Sequence, residues 1–286
     1  MQYIPAPGLG CYKSTYPSIK WIPEPCGPKF NSSVAYTVGN GSPDDFAGSG
    51  TPFTSVSGGF TSETGYQNEY DNVSGGDQFS LQLLTNTRGI TWDGNPTEGL
   101  VQFTYVTYTT AGTGAGVPAI VIQYWLIGYA APNGPGKGHC PSDYLEWSKV
   151  GSSCFIDSAY PYEYNPPQQL EPYQLASARL QGLMFTNSSG DFDQAEMCIN
   201  GTCDATTSVD YFNMYGYWAG AEFNVLGLQE GSEAVFNSGV TLDGIVGTSS
   251  YHVGCSIVPS NSLETSNFNM NSCSGNVYDV QFTEAS

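Results

Sequence analysis

Basic side chains are the scarcest resource in this sequence: seven Lys and Arg stand against 26 Asp and Glu, for a formal net charge of −19. Such a chain repels nucleic acid and anionic membrane surfaces, so polyanion binding is excluded as a role. The same scarcity caps positive side-chain charge at nine once the two histidines are counted, which limits charge repulsion in acid. Histidine is nearly absent, with only His139 and His252, and no CxxC knuckle occurs. The sequence therefore offers no metal-ligand cluster, no cofactor fingerprint, and few ways to build a Ser-His-Asp triad. No run of 18 or more apolar residues is present to cross a membrane as a helix. No sustained 3.6-residue hydrophobic period argues for a helical fold.

Several enzyme signatures are also missing. There is no Gly-x-Ser-x-Gly elbow, no His-Glu-x-x-His and no Asp-Thr/Ser-Gly. The glycines around 112–116 and 134–138 do not form a phosphate-binding loop, because Lys137 is followed by Gly138 where Ser or Thr is required.

What the sequence does contain is aromatic residues, glycine and eight cysteines. The cysteines fall into four sequential couples, which predicts local disulfides Cys11–Cys26, Cys140–Cys154, Cys198–Cys203 and Cys255–Cys273 in an oxidising compartment. Sequons at Asn31, Asn40, Asn72, Asn187 and Asn200 agree with a glycosylating secretory route. A secreted, extracellular protein is the expectation, read as a mature form whose leader has been removed ahead of Met1.

At 286 residues the chain fits one large all-β domain. Residues 1–29 read as a Pro- and Cys-rich arm packed on a single domain spanning 30–286. Period-two alternation of aromatic and β-branched residues begins at Val34, Tyr36 and Val38. It recurs at 79–84, 100–110, 119–130, 208–218, 221–228, 233–242 and 277–283. A two-sheet antiparallel β-sandwich of jelly-roll or concanavalin-like form follows. The segment 175–184 is read as a strand at least as readily as a helix. Residues 131–173, rich in Pro and Cys with aromatics around Pro161–Tyr164, read as one long loop over or beside a site.

Alternation also assigns faces. In Phe79-Ser80-Leu81-Gln82-Leu83 the apolar residues share one face and Gln82 takes the other. In Ala221-Glu222-Phe223-Asn224-Val225 the residues Ala221, Phe223 and Val225 point inward, leaving Glu222 and Asn224 outside. Gln123, Trp125 and Tyr129 share a face, as do Gln102 and Tyr108 on the preceding strand. The expected result is an outer sheet face carrying Gln, Glu, Trp and Tyr as an open ligand groove.

These segments carry a resemblance. Trp218-Ala-Gly-Ala-Glu222-Phe-Asn-Val225 resembles the Ala-Glu-Trp-Ile-Val strand that holds the catalytic glutamate of the fungal glutamic peptidases, the eqolisins. Phe79-Ser-Leu-Gln82-Leu-Leu-Thr-Asn86 is similar to that family's catalytic glutamine strand. Gln123–Tyr129 looks like its aromatic strand and like the Thr-Tyr-Trp-Thr strand of the related neprosins. Val235–Thr241 is similar to the eqolisin Phe-Ala-Asp-Phe-Gly stretch. Phe223 stands where the family has Trp, and Asn237 where it has Asp. The N-terminal Gly10–Ser18, with Trp21 and Cys26, resembles secreted, mostly bacterial proteins of unassigned function.

The resemblance implies an acid endopeptidase in which Glu222 activates water and Gln82 stabilises the oxyanion. Trp125, Tyr129, Gln123, Gln102 and Asn224 would contact a polypeptide substrate, with no metal and no cofactor. Two other classes compete: a non-catalytic module binding extracellular glycans or proteins through the aromatic face, and a structural or self-assembling extracellular protein.

Overall fold

The computed structural model describes residues 4–18, 20–27, 43–48, 51–107, 116–143, 145–159, 161–163, 170–228, 232–249, 253–259 and 265–286. Its architecture is a β-sandwich built from two large sheets with a small third sheet at one end. The first sheet runs in the order Ile22–Glu24, Gly10–Thr15, Thr202–Val209, Gly190–Ile199, Ala178–Asn187, Ser55–Thr64, Thr241–Thr248, Asp279–Ala285, Asn269–Gly275. The second follows Ser148–Val150, Ser153–Asp157, Ala119–Ile127, Asn95–Val106, Ser80–Thr85, Gly220–Leu226, Pro43–Gly48, Gly254–Pro259. Tyr162–Glu163 and Arg88–Trp92 add to its flanks. Pairing is antiparallel throughout these two sheets; a parallel contact joins Glu233–Phe236 to Thr265–Ser266 in the small sheet. The helical content among the described residues is one 3₁₀ turn, Pro172–Ser177, leading into the strand that the 175–184 segment left open.

The core lies between the two large sheets. Leu81, Leu83, Val101, Phe103, Ile122, Tyr124, Ala221 and Phe223 meet Val56, Phe60, Leu180, Met197, Leu242 and Val246. Two glycines make the close approach feasible. A Cβ on Gly58 would fall 2.1 Å from the Phe223 ring, and one on Gly182 would fall 2.5 Å from Phe103. The sheet contributing small residues therefore receives the rings of the other, which is how aromatic-rich sheets reach core density. All four expected disulfides are formed, Cys11–Cys26, Cys140–Cys154, Cys198–Cys203 and Cys255–Cys273. They are compatible with an extracellular protein.

The N-terminal arm packs on the domain as strand, with Gly10–Thr15 pairing along Thr202–Thr207. Three expectations need correction. The supposed loop 131–173 contains three strands and the 3₁₀ turn, and its Tyr162 is buried, donating to Asp204 Oδ1 at 2.8 Å. The run at 208–218 is not a strand beyond Val209. There the Asp210 carboxylate accepts the backbone N–H groups of Phe212, Met214 and Tyr215 and coils the chain into turns. The 233–242 run breaks after Phe236, where Asn237 Oδ1 accepts from Gln67 and Asn68 N–H and Gly239 takes a positive φ. Val34–Val38, Tyr108, His252, Asn31 and Asn40 lie outside the described residues. Asn72 and Asn200 are exposed and Asn187 half-buried.

Candidate active site

The outer face of the second sheet brings five of the six expected polar and aromatic positions together with Glu222. Asn224 stands directly across from Gln82, Gln82 across from Thr104, and Gln102 across from Gln123, which in turn faces Asp157. Glu222 lies opposite Leu84, two residues along from Asn224. Glu222 and Gln82 are thus diagonal neighbours on adjacent antiparallel strands, positions about 7–8 Å apart in such sheets.

The side chains are wired in series. Trp125 Nε1 donates to Gln102 Oε1 at 2.9 Å, Gln102 Nε2 donates to Gln82 Oε1 at 2.7 Å, and Gln82 Nε2 donates to Ser80 Oγ at 2.9 Å. Ser80 Oγ passes the chain on to the Gly227 carbonyl at 2.9 Å. Beside it, Asn224 Nδ2 donates to Glu222 Oε1 at 3.1 Å and Gln123 Nε2 to Asp157 Oδ1 at 2.6 Å. Each amide is both donor and acceptor, so a neutral glutamine can be held rigidly without any charge to desolvate. Trp125 is fixed further by stacking on Phe155, with centroids 5.0 Å apart.

The face is not the open groove expected from alternation. Gln82, Gln102 and Gln123 have no exposed surface, Trp125 and Asn224 are buried, and only Glu222 of this set keeps intermediate exposure. Apolar clusters flank the stripe: Val106, Ala119, Val121 and Leu228 at one end, and Leu84, Leu100, Trp125, Val150 and Phe155 at the other. The outer face is therefore a second buried layer with a polar band across its middle. Tyr129 does not belong to it. Gly128, at φ +67°, ends the strand after Ile127, and Tyr129 turns into the main core. A residue in left-handed backbone breaks period two, so the face assignment fails one position beyond it.

No protein-family model matches this chain, and no curated protein matches it.

Within the band, Thr104 Oγ1 and Gln123 Oε1 are shut from solvent and have no hydrogen-bond partner among the described residues. Each such orphan costs about 1–3 kcal/mol, an expense that ordinary cores avoid and functional sites retain. Sequence reasoning missed Thr104, Ser80 and Asp157 as members of the band. The signal was present for the first two, since Ser80 and Thr104 each sit two residues from a glutamine already assigned to that face.

His139 is placed apart, in the turns following Gly128, its backbone N–H bonded to the Gly136 carbonyl. Asn237 clamps a turn between Gly65, Gln67 and Asn68. Among the described residues, Glu196, Cys198 and Cys203 bring potential ligand atoms within 4.8 Å. Their two sulfurs are joined as a disulfide, which removes the thiolates a metal would need.

Proposed function

We propose that this chain is a secreted endopeptidase of the glutamic type, with Glu222 as general base and acid and Gln82 as oxyanion donor. The observation that carries the reading is the placement of Glu222, a partly exposed carboxylate of the band, diagonal to a glutamine whose amide is fixed on both sides.

The chemistry follows from the two groups. The Glu222 carboxylate takes a proton from water as the water oxygen bonds to the peptide carbonyl carbon. The carbonyl electron pair moves onto oxygen, and the Gln82 NH2, buried and bonded to Ser80 Oγ in this structure, turns from Ser80 to donate to the resulting oxyanion once substrate displaces what covers it. When the tetrahedral carbon collapses, the C–N bond breaks and the proton held by Glu222 goes to the departing nitrogen. Asn224, donating to Glu222, orients the carboxylate, while Gln102 and Trp125 set the angle of the Gln82 amide. A carboxylate working as both base and acid favours mildly to strongly acidic conditions.

The test is cleavage of a denatured protein between about pH 2 and 6, followed by mass spectrometry of the new termini. Glu222→Gln keeps the shape and removes the proton acceptor, so the rate falls by roughly 10²–10⁴-fold. Gln82→Ala loses about 10²–10³-fold if its amide is the oxyanion donor. Cleavage by the Glu222→Gln chain at the wild-type rate ends the proposal.

A further inference from the structure

At the Glu98–Ile127 end of the second sheet lies a cleft of about 870 Å³ that the peptidase reading does not use. Its walls come from three segments: the hairpin of Arg88–Trp92 with the start of Asn95–Val106, the turn Tyr211–Asn213, and the stretch from Ile127, at the end of Ala119–Ile127, to Pro135 in the turns after it. All three are pinned. Asp143 Oδ2 accepts from Trp92 Nε1 at 3.0 Å and from Trp147 Nε1 at 3.2 Å, so one carboxylate holds two indoles. The Trp92 ring meets Trp147 and Phe212 edge to face, at 5.1 and 5.7 Å. Arg88 donates to the carbonyls of Phe212 and Asn213, and its guanidinium lies 3.5 Å from the Tyr217 ring centroid. The Cys140–Cys154 disulfide ties the third segment to the sheet.

The lining defines the ligand. Trp92 and Tyr211, both partly exposed and backed by buried Phe212, supply hydrocarbon ring surface, while Glu98 and Asn213 are exposed polar groups on the cleft. One cation and one anion leave the cleft without net charge, and the molecule around it carries −19, so an anionic ligand is disfavoured. The volume falls in the usual range for small-molecule sites, about 300–1,000 Å³. A neutral ligand with apolar ring faces and a rim of hydroxyls answers all three demands. We infer that this cleft is a binding site for a neutral oligosaccharide, with the pyranose faces against the aromatic wall and hydroxyls bonded to Glu98 and Asn213.

The experiment titrates the intact chain with glucose-, xylose-, mannose- and N-acetylglucosamine-based oligosaccharides, followed by tryptophan fluorescence and calorimetry. At least one of them binds with a Kd of about 1 mM or tighter. Trp92→Ala abolishes that binding. Because Trp92→Ala also disturbs packing, two milder changes are decisive. Asn213→Gly keeps the left-handed backbone at φ +52°, and Glu98→Gln keeps the shape. Each weakens binding by about five- to tenfold, the worth of one hydrogen bond, with an unchanged melting temperature. Glu222→Gln leaves saccharide binding intact, so this inference and the peptidase reading fail separately. It is overturned if none of these sugars binds, if binding ignores Asn213→Gly and Glu98→Gln alike, or if an uncharged peptide displaces the sugar.

Discussion

Two regions of this molecule bury polar groups, and they do it with opposite chemistry. The band on the outer face of the second sheet is built around uncharged groups, Trp125, Gln102, Gln82 and Ser80, linked in series by hydrogen bonds. Elsewhere the fold buries carboxylates with few donors. Glu69 is 3% exposed with Oε1 unpaired, and burial, reinforced by the charges of Asp71 and Asp77, pushes its pKa up to about 8 against the Gln78 N–H that lowers it. Burial raises Glu63 to about 7, its carboxyl lying near the Leu175 amide without a well-formed hydrogen bond. Glu196 rises to about 7 for the same first cause, with Gln194 opposing it. Asp193, fully buried against the Tyr124 hydroxyl at 2.7 Å, is held well above the ordinary carboxylate range. The Trp125–Gln102–Gln82–Ser80 chain holds no titrating group, whereas the scattered carboxylates hold their protons more tightly in the folded chain.

The sharpest way to break the contrast is to cut the amide chain. Gln102→Ala strands Trp125 Nε1 and Gln82 Oε1 and leaves a void. It should cost about 2–5 kcal/mol. Since no titrating group is involved, denaturant unfolding at pH 4 and at pH 8 should give the same loss. A loss confined to one pH would show that the band is coupled to the carboxylates.

The second effect is the pH dependence itself. A buried acid whose folded pKa is raised binds its proton more tightly in the folded chain, so its contribution to stability is complete below the unfolded value of 4.5. That contribution drains away as pH rises toward 7–8. The melting temperature should therefore decline across pH 4.5–8. Asp243 runs the other way, because the Ser62 and Thr283 hydroxyls lower its pKa, and its contribution disappears as pH falls below the ordinary Asp value of 3.8. Glu69→Gln should flatten the decline by several degrees, given roughly 2–4 °C per kcal/mol for a large domain. A thermal melt series of both chains from pH 4 to 8 reads this directly, and parallel curves would remove Glu69 from the account. The few positive charges of the sequence point the same way, since little repulsion builds up in acid. An acid-tolerant scaffold is what the proposed peptidase requires.

The smallest effect comes from Thr104, whose hydroxyl has no partner among the described residues. Thr104→Val replaces an orphaned oxygen by a methyl of similar size. Stability should stay level or rise by about 1 kcal/mol. A clear destabilisation would mean that Thr104 Oγ1 holds a water or another group essential to the fold.

The sheets and the membership of the band were legible because both are local. Gln82, Gln102, Gln123, Trp125, Glu222 and Asn224 each follow from period two within one strand. The disulfides were legible because each closes a short sequence interval, between 5 and 18 residues. What alternation could not show is what lies above a face, and so the band was expected to be open when it is buried. Tyr129 failed at a single glycine, and 208–218 failed because Asp210 captures three amides, a competition between side chain and ladder that aromatic content conceals. The cleft was invisible for another reason. Trp92 and Trp147 are 55 positions apart, and the carboxylate that aligns them, Asp143, belongs to a segment with no pattern of its own.

Among the described residues, the short strand Ile22–Glu24 sits at the outer end of the nine-stranded sheet and pairs only with Gly10–Thr15. Its middle residue is Pro23 and the next after it is Pro25, neither of which has an N–H to offer. Another chain approaching that border finds three residues and a missing donor instead of a ladder to extend. The segment stapled by Cys11–Cys26 thus works as a hem: it finishes one border of the nine-stranded sheet so that neighbouring molecules cannot knit themselves onto it.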